Sequence, residues 1–540
     1  MASTLRILAL LLLSSLTLAQ ESKPRRLDEK PAVRDGVKLA TTVHLPPGDG
    51  RWPVILTRTP YGRGGMDGFA KRFVDRGYAF VSQDCRGRFD SEGTYLPFFD
   101  DPHDGYDAVE WVAAQPWSNG KVGMLGGSAL GITAHLAATQ EPPHLLCAYV
   151  AVAPSSARTQ TIYAGGVYRK ELNDGWLMSQ KVPQAIGETI SHPAADPHWD
   201  YREIPSFHAR MRIPIYEVSG WFDIFAQGAL DNFSGLQARG AGVAAGNQKL
   251  LMGPWAHGPL NGRLRYPNDD AGAVFGKECD RWFDRWLKSE QNGIDREPPV
   301  RYYVLGDGEP GAAGNEWRTA ESWPPPSRAT SLFLHAGGGL RREPAGDSEQ
   351  SIAYTYDPAS PVPTKGGGNL FLPRGPLDQR EIGDREDYLR FVTEPLAEPL
   401  EVAGRIHADL YIESDAPDTD FVAKLVDVHP DGYEALLADG IIRARYREGL
   451  EREVFLEPGK VAHVRIDLWS TAAAFARGHR IAVHVTSSND PRFDPNPNTG
   501  KPLRADVEKK AARNRVHMDA GHPSRVVLPV VRGAPAGRSF

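Results

Sequence analysis

The stretch Lys121–Gln140, KVGMLGGSALGITAHLAATQ, decides how the rest of the chain is read. Val122 to Leu125 is a short apolar run of strand length, and the Ala- and Leu-rich segment after Ala129 predicts a helix. Between them stands Ser128, with Gly126 and Gly127 before it and Gly131 after it. A strand that turns sharply into a helix lifts its central side chain to an exposed tip only where the neighbours are small, and Ser128 is predicted to be that side chain. The pattern is G-x-S-x-G displaced by one, because Leu130 stands where the second glycine is expected. A lone glycine-flanked serine can equally be a loop or helix-cap residue, so its context has to decide.

Working outward, the segments 34–46 (RDGVKLATTVHLP), Val54 to Leu56 and Tyr78 to Ser82 read as strands. Residues 84–93 (DCRGRFDSEG) form a turn in which Arg86, Asp90 and Glu92 are read as loop-stabilising charges. In 105–115 (GYDAVEWVAAQ), Tyr106, Val109, Trp111 and Val112 have helical spacing, with Asp104 as N-cap and Pro116 ending the helix. Downstream, 145–154, 212–223 and 247–257 supply further apolar strands, and Asp280–Lys288 an amphipathic helix. Strands alternating with helices predict a mostly parallel sheet covered on both faces.

This reading assigns 28–154 and 209–305 to one α/β-hydrolase domain, interrupted at 155–208 by a helical cap. A turn-rich linker at 306–330 leads to 331–540, where short alternating segments such as ADLYIESD and HRIAVHVTSS predict an all-β sandwich.

An alkoxide needs a base to take its proton, and the base needs a carboxylate to hold its tautomer. Asp223 and His257 each follow an apolar strand and so stand at the sheet edge that carries Ser128. Their order, Ser, Asp, His, is the one this fold uses. They are the expected catalytic residues. For the oxyanion, the Ala129 N–H at the helix start is one donor. Tyr61, in the loop after Val54–Leu56, either donates its phenol or merely packs. Trp221, Phe222 and Trp255 flank the triad loops as residues that line the pocket or pack beneath it.

The chain of 540 residues is long enough for several domains. Hydrophobic residues at 41% and charged residues at 24% place it with soluble globular proteins. With 62 basic against 68 acidic residues and no basic run, nucleic acid is excluded as an expected partner. Residues 1–19 carry Arg6, an apolar run from Ile7 to Leu13 and small residues at Thr17 and Ala19. They read as a signal peptide, which predicts an exported, periplasmic or extracellular protein without stable membrane insertion after cleavage. Cys85, Cys147 and Cys279 allow one disulfide at most, and no zinc pattern occurs. The acidic turns PDTD (417–420) and 431–440 lack the spacing of a calcium loop, so no metal and no cofactor are expected.

The chain resembles the family that holds cocaine esterase, the α-amino-acid ester hydrolases, glutaryl acylases and the X-Pro dipeptidyl-peptidases. The resemblance rests on TRTPYGR, DCRGRFDSEG, GYDAVEWVAAQPWSNGKVGMLGGSALG, SGWFDIFAQGALDNF, MGPWAHG and, in the C-terminal part, SDAPDTDFVAKLVDVHPDG, LADGIIRARYREG and AFARGHRIAVHVTSSNDPRFDPNPNTG. It covers nearly the whole mature chain. It implies a capped α/β-hydrolase domain followed by a jelly-roll domain packed against the site, Ser128, Asp223 and His257 as triad, and Tyr61 as oxyanion donor. This chain departs from the family by having Ala129 where a tyrosine is usual, which keeps the backbone donor and changes the pocket wall. The expected reaction is ester or amide hydrolysis of a small acyl substrate. Removal of an X-Pro dipeptide is the alternative, for which Glu171, Asp174 or Glu188 would have to hold an α-ammonium. An inert carbohydrate-binding protein is a third reading, which the intact triad disfavours, and a homo-oligomer is left open.

Overall fold

The computed structural model describes residues 24–531, apart from 310, 347, 349 and 506–507. The expected leader lies outside the described residues. Among the described residues up to position 320 there are twelve strands: β1 (Arg25–Glu29), β2 (Thr41–Leu45), β3 (Trp52–Thr59), β4 (Ala79–Asp84), β5 (Ser118–Gly127), β6 (Leu145–Ala151), a short hairpin β7 (Tyr163–Ala164) and β8 (Val167–Tyr168), then β9 (Ile215–Phe222), β10 (Lys249–Ala256), β11 (Val300–Val304) and β12 (Glu316–Ala320). All but the hairpin join one sheet in the order β1-β2-β4-β3-β5-β6-β9-β10-β11-β12. It is parallel from β4 to β11, with antiparallel strands at each edge.

The central strands are apolar on both sides because both faces are covered. On one face, α2 (Asp101–Ala113) and α3 (Ala129–Thr139) bury Val109, Val112, Ile132 and Leu136 against Val54, Leu56, Val122 and Met124. On the other, α1 (Asp67–Val74) and the helix Cys279–Leu287 bury Phe73, Trp282 and Phe283 against Ile55, Phe80 and Tyr149. The Trp282 indole also donates to the Ala148 carbonyl at 2.8 Å, tying helix to strand.

Between β6 and β9 the chain leaves the sheet. The insertion holds a π-helix at Ala157–Ile162, the β7–β8 hairpin, α4 (Lys170–Ser179), α5 (Ala185–Ile190) and two 3₁₀ turns. It is mainly helical, with a hairpin that the sequence pattern did not signal.

The C-terminal part is built of antiparallel strands in two sheets. The larger contains Ser327–Leu334, Leu400–Ser414, Ala462–Phe475, Ala512–His517 and Arg525–Val531. The smaller contains Leu389–Val392, Asp420–Val428, Glu434–Arg443 and Arg480–Thr486. One apolar cluster runs without a break from Trp221, Phe222 and Tyr302 through Trp323 to Phe475 and Val483, so the two parts share a core. Leu305 strengthens the junction by exchanging backbone hydrogen bonds of 2.9 and 2.8 Å with Ala472 and Ala474.

Two expectations are corrected by these contacts. Residues 306–330 are not simply a linker, because β12 pairs with β11 and Ser327 already belongs to the next sheet. Asp104 is not an N-cap: α2 begins at Asp101, and Asp104 turns inward to receive Arg86 at 2.7 Å. The three cysteines, for which one disulfide at most was open, are buried and unpaired. The turn charges act as expected: Arg86 also reaches Asp35 at 2.7 Å, Asp90 receives Arg63 at 2.8 Å, and Glu92 accepts the Lys38 N–H. The carboxylates of PDTD are held by arginine, Asp418 by Arg445 and Asp420 by Arg443, both at 2.9 Å. No helix among the described residues is long and apolar enough to cross a membrane.

Trp282 lies wholly inside the face formed by α1 and the helix Cys279–Leu287. Trp282→Ala is therefore expected to cost about 3–5 kcal/mol in chemical denaturation, from the cavity and the lost indole hydrogen bond.

Candidate active site

The sharp turn at Ser128 follows from its neighbours. The serine has φ 56° and ψ −125°, a conformation that costs about 1–3 kcal/mol for a residue with a Cβ. It is held there because Ser128 N–H donates to the Ala151 carbonyl at 2.9 Å, while its own carbonyl accepts from Ile132 as α3 begins. Gly126 permits the turn: a Cβ there would sit 2.1 Å from the Leu130 carbonyl oxygen.

β9 and β10 end beside this turn and deliver the other two groups. The Ser128 hydroxyl lies 2.9 Å from His257 Nε2, and His257 Nδ1 lies 2.7 Å from Asp223 Oδ2. With Nδ1–H donated to the carboxylate, Nε2 is left as the acceptor facing the serine. Asp223 is fully buried, and its second oxygen accepts the Phe225 N–H at 2.7 Å. The Phe225 ring meets the imidazole edge-on. Behind Asp223, the buried Arg169 guanidinium donates to the Ile224 carbonyl at 3.1 Å. Burial, followed by the charge of Arg492, lowers the Arg169 pKa to about 9, against the pull of Glu171 and Asp223, and leaves it cationic at neutral pH.

Tyr61 follows β3 and brings its hydroxyl to the same place. The Trp176 indole of α4 donates to that oxygen at 2.9 Å. An indole N–H can only donate, so the phenol accepts there and its own proton is free to point elsewhere. The residue is 42% exposed overall, yet burial at the hydroxyl end pushes its pKa up, against hydrogen bonds from Trp176 and Ser128. Ala129 is buried, and as the first residue of α3 its N–H has no partner within the helix.

A small cavity of about 40 Å³ opens at Ser128 and Ala129, walled by Phe98, Ile132, Leu172, Trp176, Phe225 and Leu370, with Asn173 and Thr161 as its polar lining. Through Phe98, Ile132, Thr161, Asn173 and Trp176 it shares walls with a second chamber of about 110 Å³ under the cap.

The amino-terminal part matches the family model described as "X-Pro dipeptidyl-peptidase (S15 family)" over residues 35–187 and 177–259, and residues 292–527 match "X-Pro dipeptidyl-peptidase C-terminal non-catalytic domain". Cocaine esterase of Rhodococcus sp. (strain MB1 Bresler) is 34% identical over 93% of this chain and 97% of its own length. The chain belongs to the cocaine esterase and X-Pro dipeptidyl-peptidase family. As a member it is a serine hydrolase. An α-amino acid ester hydrolase superposes with a TM-score of 0.82 at 27% identity, covering 94% of this chain and 97% of that one. An aminopeptidase from a marine sediment Thaumarchaeota archaeon gives 0.83 at 26%, covering 94% and 96%.

Within this family member, the structure brings together Ser128, Asp223, His257, Tyr61 and Ala129. It does not bring Trp221 or Phe222 to the pocket, which corrects that expectation. The Trp221 indole donates to the Tyr303 carbonyl at 2.7 Å inside the shared core, and Phe222 stacks on Tyr266. Both side chains belong to the apolar cluster shared with the C-terminal domain, not to the site. Trp255 packs on Trp317 and lines a different cavity that touches His257 but shares no wall with the one at Ser128.

Two carboxylates considered for binding an ammonium are already engaged. Glu171 accepts backbone N–H groups from Leu370 at 3.0 Å, Phe371, and Leu372 at 3.1 Å. Asp174 takes Arg504 at 2.8 Å and the Tyr168 hydroxyl. Glu188 stays largely exposed beside His192 and His198 at the wall of the larger chamber. The 366–375 segment of the C-terminal domain, which the sequence reading missed, closes over the site. A Cβ on Gly368 would lie 3.0 Å from the Asp223 carbonyl, and Arg374 donates to the His257 carbonyl at 3.2 Å.

Because Glu171 gathers three amides with one carboxylate, Glu171→Gln is expected to cost about 1.5–3 kcal/mol in denaturant unfolding, from weakened hydrogen bonds to a charged group. An unchanged midpoint would show that the 370–372 segment is held otherwise.

Proposed function

We propose that this chain hydrolyses an ester or amide of a small acyl substrate through an acyl-enzyme, in a capped α/β-hydrolase domain whose site is closed by a C-terminal jelly roll. The observation that carries the reading is the unbroken hydrogen-bond line Asp223–His257–Ser128 at 2.7 and 2.9 Å. In this mechanism Ser128 Oγ attacks the carbonyl as His257 Nε2 takes its proton, while Asp223 holds the imidazole in the required tautomer and stabilises the imidazolium. The developing oxyanion is met by the Ala129 N–H and the Tyr61 phenol. His257 returns its proton to the leaving group, and water, activated in the same way, releases the acid. These steps draw on side chains and backbone alone.

Small-acyl hydrolysis is favoured over X-Pro dipeptide release by the carboxylates. An α-ammonium needs an unengaged anion at the acyl pocket; Glu171 and Asp174 are already bound, and Glu188 lines the outer chamber but not the cavity at Ser128. The pocket at Ser128 is largely apolar. We also propose export, on the strength of the apolar, cation-headed leader.

A fluorophosphonate probe should label the wild type and fail on Ser128→Ala. A variant that still labels would remove Ser128 as nucleophile. Asp223→Asn should lower kcat by about 10⁴ with little change in KM, through the wrong imidazole tautomer. Tyr61→Phe should lower kcat by about 10²–10³. Since burial raises the Tyr61 pKa, the pH profile of wild type should show no loss assignable to this phenol between neutrality and about pH 9. In a panel of p-nitrophenyl esters, acyl amides and X-Pro anilides, simple esters should lead. A Gly-Pro-anilide rate far above them would overturn that ordering.

A further inference from the structure

The strand Asp420–Val428 runs into the turn that carries His429 and Asp431. Asp427 and His429 stand two apart, and the antiparallel strand Arg480–Thr486 pairs Arg480 with Val428, which brings His479 to the same end. All three side chains are more than nine-tenths buried. Each presents one ligand atom, and these atoms lie within 4.8 Å of one another.

The separations suit a metal. His479 Nδ1 is 2.9 and 3.0 Å from the two Asp427 oxygens, and His429 Nε2 is 3.6 Å from Asp427 Oδ2. Zinc bonds of about 2.0–2.2 Å place the ligands of a tetrahedron about 3.3 Å apart, between these values. His429 Nε2 is buried without a hydrogen-bond partner, and the nearby Tyr266 hydroxyl, in the field of Asp427 and Asp307, is likewise unpartnered. Asp307 Oδ2 stands 3.9 Å from His479 Nε2, where a carboxylate backs a ligating imidazole.

We infer that Asp427, His429 and His479 bind one divalent transition-metal ion of the zinc class, where the C-terminal domain meets Asp307 and Tyr266 of the preceding chain. The sequence pattern did not suggest it because the ligands come from two strands fifty residues apart, not from one short motif. Binding through His429 Nε2 requires its proton to move to Nδ1. The Arg263 guanidinium lies 3.4 Å from Nδ1 and must give way, which its forked pair with Asp431 at 2.5 and 3.1 Å allows. Without metal, the same contacts favour a protonated His479: burial opposes the charge, but the hydrogen bond and charge of Asp427, with Asp307, outweigh it and raise the pKa.

The test is equilibrium dialysis of the EDTA-treated full chain against Zn²⁺, with Co²⁺ absorption as the coordination readout. One ion per chain is expected, with the visible bands of a tetrahedral Co²⁺ site and a higher Tm with metal. His429→Gln should weaken binding by about tenfold or more, since removing even an outer-shell partner of a ligand costs that much. Its p-nitrophenyl ester hydrolysis without metal should match wild type. This variant is preferred to His479→Gln because it breaks no hydrogen bond to a carboxylate. Absence of binding at about 100 μM free Zn²⁺, well above structural-site dissociation constants, would overturn the proposal. So would binding that survives His429→Gln and is lost instead in His198→Gln, which would place the ion at Glu188, His192 and His198 in the cap.

Discussion

The 2.7 Å hydrogen bond between Asp223 and His257 is the contact around which the rest of the site is arranged. It joins the ends of β9 and β10, fixes which imidazole nitrogen bears the proton, and so directs the other nitrogen at Ser128. A carboxylate this deeply buried needs hydrogen-bond donors around it. Here the Phe225 N–H and the His257 N–H satisfy its oxygens, and the Arg169 charge lies close by. The polar line is thus supported from beneath by a cationic side chain of the inserted segment.

The C-terminal domain is part of the same construction. Its 366–375 segment rests on the Asp223 turn and on the His257 carbonyl, while Glu171 on α4 gathers its backbone amides. The pocket wall is therefore assembled from three parts of the chain: Phe98 and Ile132 from the sheet domain, Leu172 and Trp176 from the insertion, and Leu370 from the C-terminal domain. The apolar cluster running from Trp221 to Phe475 keeps these parts from separating, since parting them would expose large aromatic side chains to water. Substrate choice in such a site depends on domain packing as much as on the nucleophile. Ala129 matters in this light: it retains a backbone donor while leaving room that a larger side chain would fill.

Local chemistry that obeys short-range rules was legible from the residues. The turn at Ser128 needs small neighbours within three positions, the parallel strands need continuous apolar runs, and strand ends place Asp223 and His257 at one edge. Each of these is written in consecutive residues. The β-rich C-terminal part also announced itself through alternation, though β12 was read as linker because its side chains are only partly covered and its pattern is weak.

The sequence by itself determined the Ser128–Asp223–His257 constellation, because chain order and strand ends suffice to bring those three together. Only the tertiary structure decided which residues wall the pocket. Trp221 and Phe222 stand next to Asp223 in the chain, yet both are drawn into the shared core, Trp221 against Trp323 and Phe222 against Tyr266, partners that no local pattern names. Phe98, Trp176 and Leu370 reach Ser128 from elements far away in sequence, through packing that no local pattern encodes. The engagement of Glu171 and Asp174 in backbone and arginine contacts is of the same kind. Their partners at Leu370–Leu372 and Arg504 lie about two and three hundred residues downstream, and proximity arises only when the domains close.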